Sequence, residues 1–101
     1  MNIVTFCQVD ETLFNPEFNV EYFHSGSSNK ADIVILDIET IFEYEENKHN
    51  VCNEKYVSIA VLDDDEDYEA FKNFGINAWI RSSEIAQINN LIVQLQDRFL
   101  S

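Results

Sequence analysis

Acidic side chains follow three apolar segments of the chain, at the point where each segment ends. Asp10 and Glu11 follow IVTFCQV, Asp37 follows IVIL, and Asp63 and Asp64 follow YVSIAVL. Each segment is rich in Ile and Val, which is typical of β-strands. Because parallel strands end at one edge of a sheet, we expect these five carboxylates to converge. Clustered carboxylates stay ionised only when a cation or hydrogen bonds offset their repulsion, so Mg²⁺ is a candidate ligand.

Two simpler interpretations of these acids remain open. They can lie in separate solvated loops, and Asp37 can simply cap the helix that follows it. The sequence contains no Gly-rich phosphate loop and no nucleophile with a neighbouring base. His24 and His49 have no Cys or Ser at a telling spacing, so we expect surface positions for both. We therefore expect no enzymatic activity.

Five strands are predicted to position the acids. Short apolar runs predict strands that are buried on both faces of a parallel sheet, whereas the alternating segment FNVEYF predicts a half-exposed edge strand. The polar stretch 25–29 is too short for a long helix. The predicted strands are Ile3–Val9, Phe18–Phe23, Ile33–Leu36, Tyr56–Leu62 and Ala78–Ile80.

Three helices are predicted in the second half of the chain. The first covers Ile41–His49, and the second follows a cap at Asp64 or Asp65 and ends near Gly75. Tyr68, Phe71 and Phe74 are expected on the inner face of the second helix. The last helix follows a cap at Ser82 or Ser83, and its apolar residues repeat at helical spacing, which predicts an inward stripe. This stripe consists of Ile85, Ile88, Ile92, Leu95 and Phe99.

Composition limits the class of protein. The chain has 101 residues, which indicates one domain over 1–101, and a net charge of −13 from 6 basic and 19 acidic residues. This charge disfavours direct binding to nucleic acid and favours a protein partner with a basic surface. No apolar run is long enough to span a bilayer, and Cys7 and Cys52 form no metal or redox spacing. We expect a soluble cytoplasmic protein that does not bind membranes.

The order of these motifs resembles the receiver domain of response regulators, in a divergent form. That resemblance implies a CheY-like (flavodoxin-like) three-layer α/β sandwich with a central, mostly parallel five-stranded sheet. It also implies that Asp37 is the phosphoacceptor, that Asp10 and Glu11 hold Mg²⁺ together with Asp37, and that Trp79 occupies the aromatic switch position. Asp10 and Asp37 are only 27 positions apart. The N-terminal helices of a receiver are therefore expected to be reduced or missing.

The departures from the receiver pattern concern the phosphorylation chemistry. Asp63 stands where receivers have a Thr or Ser that bonds the phosphoryl group, so a negative charge would face the phosphate. Ser82 and Ser83 stand where receivers have Lys and Pro, and Arg81 lies one position away from the Lys. These differences imply a pseudo-receiver: a regulatory interaction module that works without phosphorylation and requires no cofactor.

Two other functions remain open from the sequence. One is a working single-domain response regulator that is phosphorylated on Asp37, with Arg81 in place of the Lys. The other is an acidic decoy that imitates nucleic acid and occupies a basic groove, which the net charge of −13 favours.

The resemblance also predicts where a partner docks. Receivers commonly use the face formed by their fourth helix, fifth strand and fifth helix, which here contains Glu66, Glu69, Trp79 and Leu91. Aromatic side chains often anchor interfaces, and acids favour a basic partner. A homodimer or a heterologous partner is expected on this face. The alternative for Trp79 alone is that it completes the core.

Overall fold

A five-stranded, all-parallel sheet forms the centre of the protein. The computed structural model describes residues 1–26 and 29–100, so that Ser27 and Ser28 of the predicted polar stretch, and Ser101, lie outside it. The spatial order of the strands is β2-β1-β3-β4-β5, the doubly wound order of flavodoxin-like folds. This confirms the predicted fold class. The strands are β1 (Asn2–Thr5), β2 (Asn19–Tyr22), β3 (Ala31–Leu36), β4 (Cys52–Leu62) and β5 (Ala78–Arg81).

The sheet is buried on both faces, which explains the continuous apolar sequence of β3. Ile33 and Ile35 point into one hydrophobic core, and Val34 and Leu36 point into the other. All four side chains have no solvent-exposed area. Successive residues of a strand face opposite sides, so a strand between two helical layers needs apolar residues at every position.

Three helices complete the layers on either side of the sheet. Helices α1 (Ile41–Val51) and α2 (Glu66–Phe71) cover one face, and α3 (Ile88–Leu95) covers the other. Their apolar residues are buried against the strands. On α1 and α2 these are Ile41, Tyr44, Val51 and Phe71, and on α3 they are Ile88, Ile92 and Leu95.

Within residues 1–26 and 29–34, the helical segments are single 3-10 turns, where a receiver would have helices. These turns are Glu11–Leu13 and Phe23–Ser25, as predicted from the short spacing. Asn89 of α3 holds the connection between β1 and β2 in place. Its Nδ2 donates to the carbonyl oxygen of Leu13 at 2.6 Å, and its Oδ1 accepts from the backbone N–H of Asn15 at 2.9 Å.

Several predicted boundaries were wrong. β1 ends at Thr5 instead of Val9, because Thr5 is the last residue of β1 that pairs with both β2 and β3. β4 begins at Cys52, four residues earlier than predicted, because its first residue already pairs with Ala31. β2 is an edge strand that pairs only with β1 among the described residues, as predicted from its alternating pattern.

The last helix is interrupted in a way that the sequence pattern did not reveal. Residues Ser82–Gln87 form a 3-10 segment, and neither this segment nor α3 after it has a side-chain cap from Ser82 or Ser83. A π-helical turn follows α3 at Gln96–Leu100. Because a π turn adds a residue to each turn, it rotates Phe99 out of the inward stripe, and 38% of this side chain is exposed.

Helix α2 is shorter than predicted and buries fewer aromatic rings. Phe71 is fully buried, whereas 44% of Tyr68 is exposed, which corrects its predicted inward position. Asp65 precedes the helix without a side-chain cap bond, and the Asp64 carboxylate accepts from the N–H of Glu66 at 3.0 Å. Gly75 ends this region with φ of +69°, a conformation that glycine adopts without strain.

Across the described residues, no helix combines the length and the apolar character that crossing a membrane requires.

Candidate functional site

The carboxyl edge of the sheet carries a cavity of about 290 Å³ at the point where β1 and β3 diverge into opposite layers. Doubly wound folds place their ligands at this topological switch point. Asp10, Asp37, Asp63 and Ser82 line the cavity together with apolar side chains that include Cys7. The structure therefore brings together one predicted acid from each of β1, β3 and β4. Asp64 and Glu11 are not among the lining residues.

The Asp37 carboxylate is held by Thr40, at the start of α1. Asp37 Oδ1 accepts from the backbone N–H of Thr40 at 3.0 Å and from its hydroxyl at 2.9 Å. In return, the Thr40 hydroxyl oxygen accepts from the backbone N–H of Asp37 at 3.0 Å. Among the described residues, Asp37 Oδ2 has no hydrogen-bond partner. The simpler interpretation, in which Asp37 caps the following helix, is met only in part: Asp37 closes the turn before α1, and the N-cap residue of α1 is Thr40.

Asp10 makes an equivalent local arrangement on the surface. Its Oδ1 accepts from the backbone N–H of Thr12 at 2.9 Å and from the Thr12 hydroxyl at 2.7 Å. These two hydrogen bonds lower the pKa of Asp10, the hydroxyl contributing more than the backbone N–H. Glu11 is exposed in the following 3-10 turn and lines a separate depression beside Tyr22.

The predicted magnesium ligands are distributed over two neighbouring depressions of the carboxyl edge. Within residues 1–26 and 29–100, no three His, Cys, Asp or Glu side chains lie close enough together to hold a metal ion. One oxygen of Asp10 and one of Asp37 are already bonded to threonines, and Glu11 does not share their cavity. Mg²⁺ binding by Asp10, Glu11 and Asp37 therefore stays a prediction from the resemblance.

Asp63 places a further carboxylate at the cavity. Its backbone N–H and that of Asp64 both donate to Asp67 Oδ2 at 3.3 Å, which orders the loop before α2. Asp63 itself is exposed at the mouth. The resemblance to receivers predicts a Thr or Ser at this position, and the chain has a carboxylate there, which accepts hydrogen bonds when it is ionised.

No cationic side chain of the described residues lines this cavity. Arg81, the candidate substitute for the receiver lysine, pairs instead with Asp65, with Nη1 2.7 Å from Oδ1. Both side chains are more than half exposed, and the pair lies outside the cavity. Among the described residues, hydrogen bonds from Thr12 and Thr40 stabilise the charges of Asp10 and Asp37, and no cation in the lining offsets the three carboxylates.

The thiol in the cavity is not an activated nucleophile. Burial, with a smaller contribution from the charge of Asp37, raises the pKa of Cys7 to about 12. A thiol is nucleophilic as its thiolate, so this environment makes Cys7 inert at neutral pH. Cys7 serves as a small apolar residue in the core.

The residues of the predicted docking face lie partly at the surface. Trp79 is half-buried on the core beneath α2, 5.1 Å from the ring of Tyr68, and its Nε1 is buried without a hydrogen-bond partner among the described residues. Glu66 is exposed, and Glu69 pairs with Lys72 at 2.6 Å. Leu91 is half-buried against the other core.

One interaction at this edge was missed by the sequence interpretation. His24 Nε2 lies 2.7 Å from Glu43 Oε1, and His24 Nδ1 lies 3.0 Å from the hydroxyl of Tyr22. These groups line a cavity of about 490 Å³ that also contains Asp37. The pairing of Tyr22 with His24 follows from their separation by two residues. Glu43 comes from α1, and only the three-dimensional fold places it there.

No family model, no curated protein and no solved structure matches this chain. Membership of the receiver family therefore stays a prediction that rests on the motifs and their order.

Proposed function

We propose that the protein is a pseudo-receiver that regulates a protein partner without phosphorylation. The observation that carries this proposal is the cavity at the carboxyl edge, which contains three aspartates and no cation among the described residues. Phosphoryl transfer depends on positioning and on stabilising negative charge. A cavity that adds negative charge at Asp63, and in which Thr40 holds Asp37, opposes that reaction.

The test is exposure of the protein to acetyl phosphate and Mg²⁺, followed by intact mass measurement. We expect no gain of a phosphoryl group. The matched variant carries Asp63→Thr and Ser82→Lys, which restore the two residue types that receivers use, and we expect at least partial modification of this variant. Stoichiometric modification of the unaltered protein, lost in Asp37→Asn, would contradict the proposal and favour a working phosphoacceptor.

The partner in this proposal has a basic surface and docks on the face formed by α2, β5 and α3. The exposure of Glu66 and Glu69 supports this choice, together with Tyr68, which lies over Trp79. A second copy of the chain is disfavoured because each copy carries a net charge of −13.

Charge reversal tests the docking face. The double substitution Glu66→Lys and Glu69→Lys is expected to weaken binding to the native partner and to reduce its salt dependence, because acids at an interface mainly accelerate association. Glu17→Lys with Glu54→Lys is the matched control, since it changes the net charge equally at two other exposed positions. Equal effects of both pairs would place the docking face elsewhere.

A further inference from the structure

A pair of phenylalanine rings forms an aromatic patch at the border of the predicted docking face, with Phe74 at the end of that face and Phe42 outside it. Phe42, in the first turn of α1, has 69% of its side chain exposed, the largest exposure among the large hydrophobic residues described. Its ring contacts that of Phe74 edge to face, with centroids 6.0 Å apart. Phe74 in turn packs on the core beneath α1 and α2. We call Phe42 and Phe74 the aromatic patch.

The core does not account for the position of Phe42. Its neighbours Ile41 and Tyr44 are 2% exposed and supply the inward face of α1. Single exposed apolar residues are common on protein surfaces. Two contacting rings, one of them anchored on the core, instead provide a preorganised apolar surface of the kind that interfaces use.

The charges around the patch are negative. Glu46 lies four residues after Phe42, on the same side of α1, and Glu39 lies three residues before Phe42 in the turn that precedes the helix. Both are exposed, and neither has a hydrogen bond or ion pair with any described residue. The lysines nearest along the chain are already paired: Lys48 with Glu45 at 3.0 Å, and Lys72 with Glu69 at 2.6 Å.

We propose that the aromatic patch binds a basic amphipathic helix of a partner protein. An arginine guanidinium stacks on an aromatic ring and pairs with carboxylates, which matches Phe42 with Glu46 one helical turn away. The apolar face of the same helix would cover Phe74, as in other helix-binding surfaces. The net charge of −13 opposes a second copy of this chain as the occupant. This inference rests on the proposed function, since it names the chemistry of the partner and a second surface that it contacts.

The experiment is an NMR titration of the full chain with an amphipathic model peptide that has leucine on one face and arginine on the other. The same peptide with glutamate in place of arginine serves as the peptide control. We expect the largest shifts at Phe42, Glu46 and Phe74. Phe42→Ala should weaken binding about tenfold, as for an aromatic anchor of an interface.

Two matched variants separate a local effect from a general one. Val93→Ala removes an apolar side chain that is 43% exposed on α3, across the sheet, and is expected to leave affinity unchanged. Glu46→Gln should weaken binding more than Glu17→Gln, although both remove one exposed charge.

The stability of the Phe42→Ala variant is a further control. Because Phe42 is largely exposed, the variant should unfold at the same urea midpoint as the unaltered protein.

Three results would overturn the inference: no binding of the arginine peptide, equal shifts at all acidic segments, or affinity that is insensitive to Phe42→Ala. Self-association of the chain that Phe42→Ala abolishes would identify a second copy as the occupant and would also reject it. Shifts confined to Tyr68, Trp79 and α3 would reject this surface and leave the proposed function intact. Phosphorylation of Asp37 would reject the proposed function without affecting the patch.

Discussion

Replacing Thr40 with valine tests whether Thr40 holds the Asp37 carboxylate. Valine keeps the shape of threonine and removes the hydroxyl. The substitution eliminates the 2.9 Å hydrogen bond to Asp37 Oδ1 and leaves the backbone N–H of Asp37 without the acceptor that lies at 3.0 Å. The bond from the backbone N–H of Thr40 to Asp37 Oδ1 remains.

The expected loss of stability follows from these contacts. A hydrogen bond to a charged group contributes roughly 1.5–3 kcal/mol. Asp37 and Thr40 are half-buried, so water replaces part of the lost interaction. We therefore expect the free energy of unfolding to fall by about 1.5 kcal/mol. With a urea m-value of roughly 1.5 kcal/mol per molar, the midpoint falls by about 1 M.

Urea unfolding followed by the fluorescence of Trp79, the single tryptophan, measures this change. Thr12→Val is the matched control, because the Thr12 hydroxyl makes the same bond to Asp10 in full exposure to water. We expect an unchanged midpoint for the control. In the Asp37→Asn background, Thr40→Val should cost about half as much, since charge-assisted hydrogen bonds are roughly twice as strong as neutral ones.

Equal costs in the two backgrounds, or a loss below about 0.5 kcal/mol in the unaltered protein, would refute this account of Asp37. The Asp37 carboxylate would then be available to ligands, and only Asp63 and the missing cation would oppose its phosphorylation.

Four further predictions concern groups elsewhere in the fold. Burial raises the pKa of Cys7 and of Cys52 to about 12, so neither thiol should react with a thiol-specific reagent at neutral pH before unfolding. An unfolded thiol has a pKa of about 8.5, so the folded state binds more protons than the unfolded state between about pH 9 and 12. The free energy of unfolding should therefore decrease as the pH rises through that range, and urea midpoints measured at several pH values would show this decrease. Asn77→Ala should lower the free energy of unfolding, measured in urea, by about 2 kcal/mol. The reason is that Asn77 Oδ1 accepts from both the N–H and the hydroxyl of Ser58, which is 1% exposed. A loss below about 0.5 kcal/mol would contradict this prediction. Asn89→Ala should release the connection between β1 and β2, seen as faster amide hydrogen exchange there and unchanged exchange in β4.

The interior of the sheet was predictable from local sequence. Residues 33–36 of β3 and 57–62 of β4 are buried on both faces, so nearly all of them are apolar regardless of the direction in which they point. The edge strand was equally readable, because β2 alternates between polar and apolar residues and pairs with β1 alone among the described residues. Such patterns are readable because buried positions require apolar residues, so burial can be inferred from residue type.

Boundaries and interruptions were less predictable. The end of β1 depends on where its neighbours stop pairing. The π turn after α3 exposes Phe99. It depends on the hydrogen bonds at the end of the helix, and the spacing of the apolar residues in the sequence does not indicate it. Tyr68 fits the inward spacing of α2, but it lies at the surface, against Trp79.

The acids at the carboxyl edge illustrate both cases. Their placement after β1, β3 and β4 was readable from the sequence, because parallel strands must end at one edge. The turns after the strands decided which acids share a cavity. The 3-10 turn after β1 places Glu11 outside the cavity, and Thr40, three residues after Asp37, hydrogen-bonds the Asp37 carboxylate.

Composition and strand pattern by themselves determined that this protein is an acidic α/β domain whose carboxylates meet at one end of its sheet. Both properties arise from neighbouring residues, where burial and charge act through residue type. The pairing of Arg81 with Asp65, the contact of His24 with Glu43, and the meeting of Phe42 with Phe74 were decided only by the tertiary structure. Each joins side chains that are 16 or more positions apart in the chain. Such contacts exist only after the helices have packed on the sheet, because the packing alone brings those side chains within reach of each other.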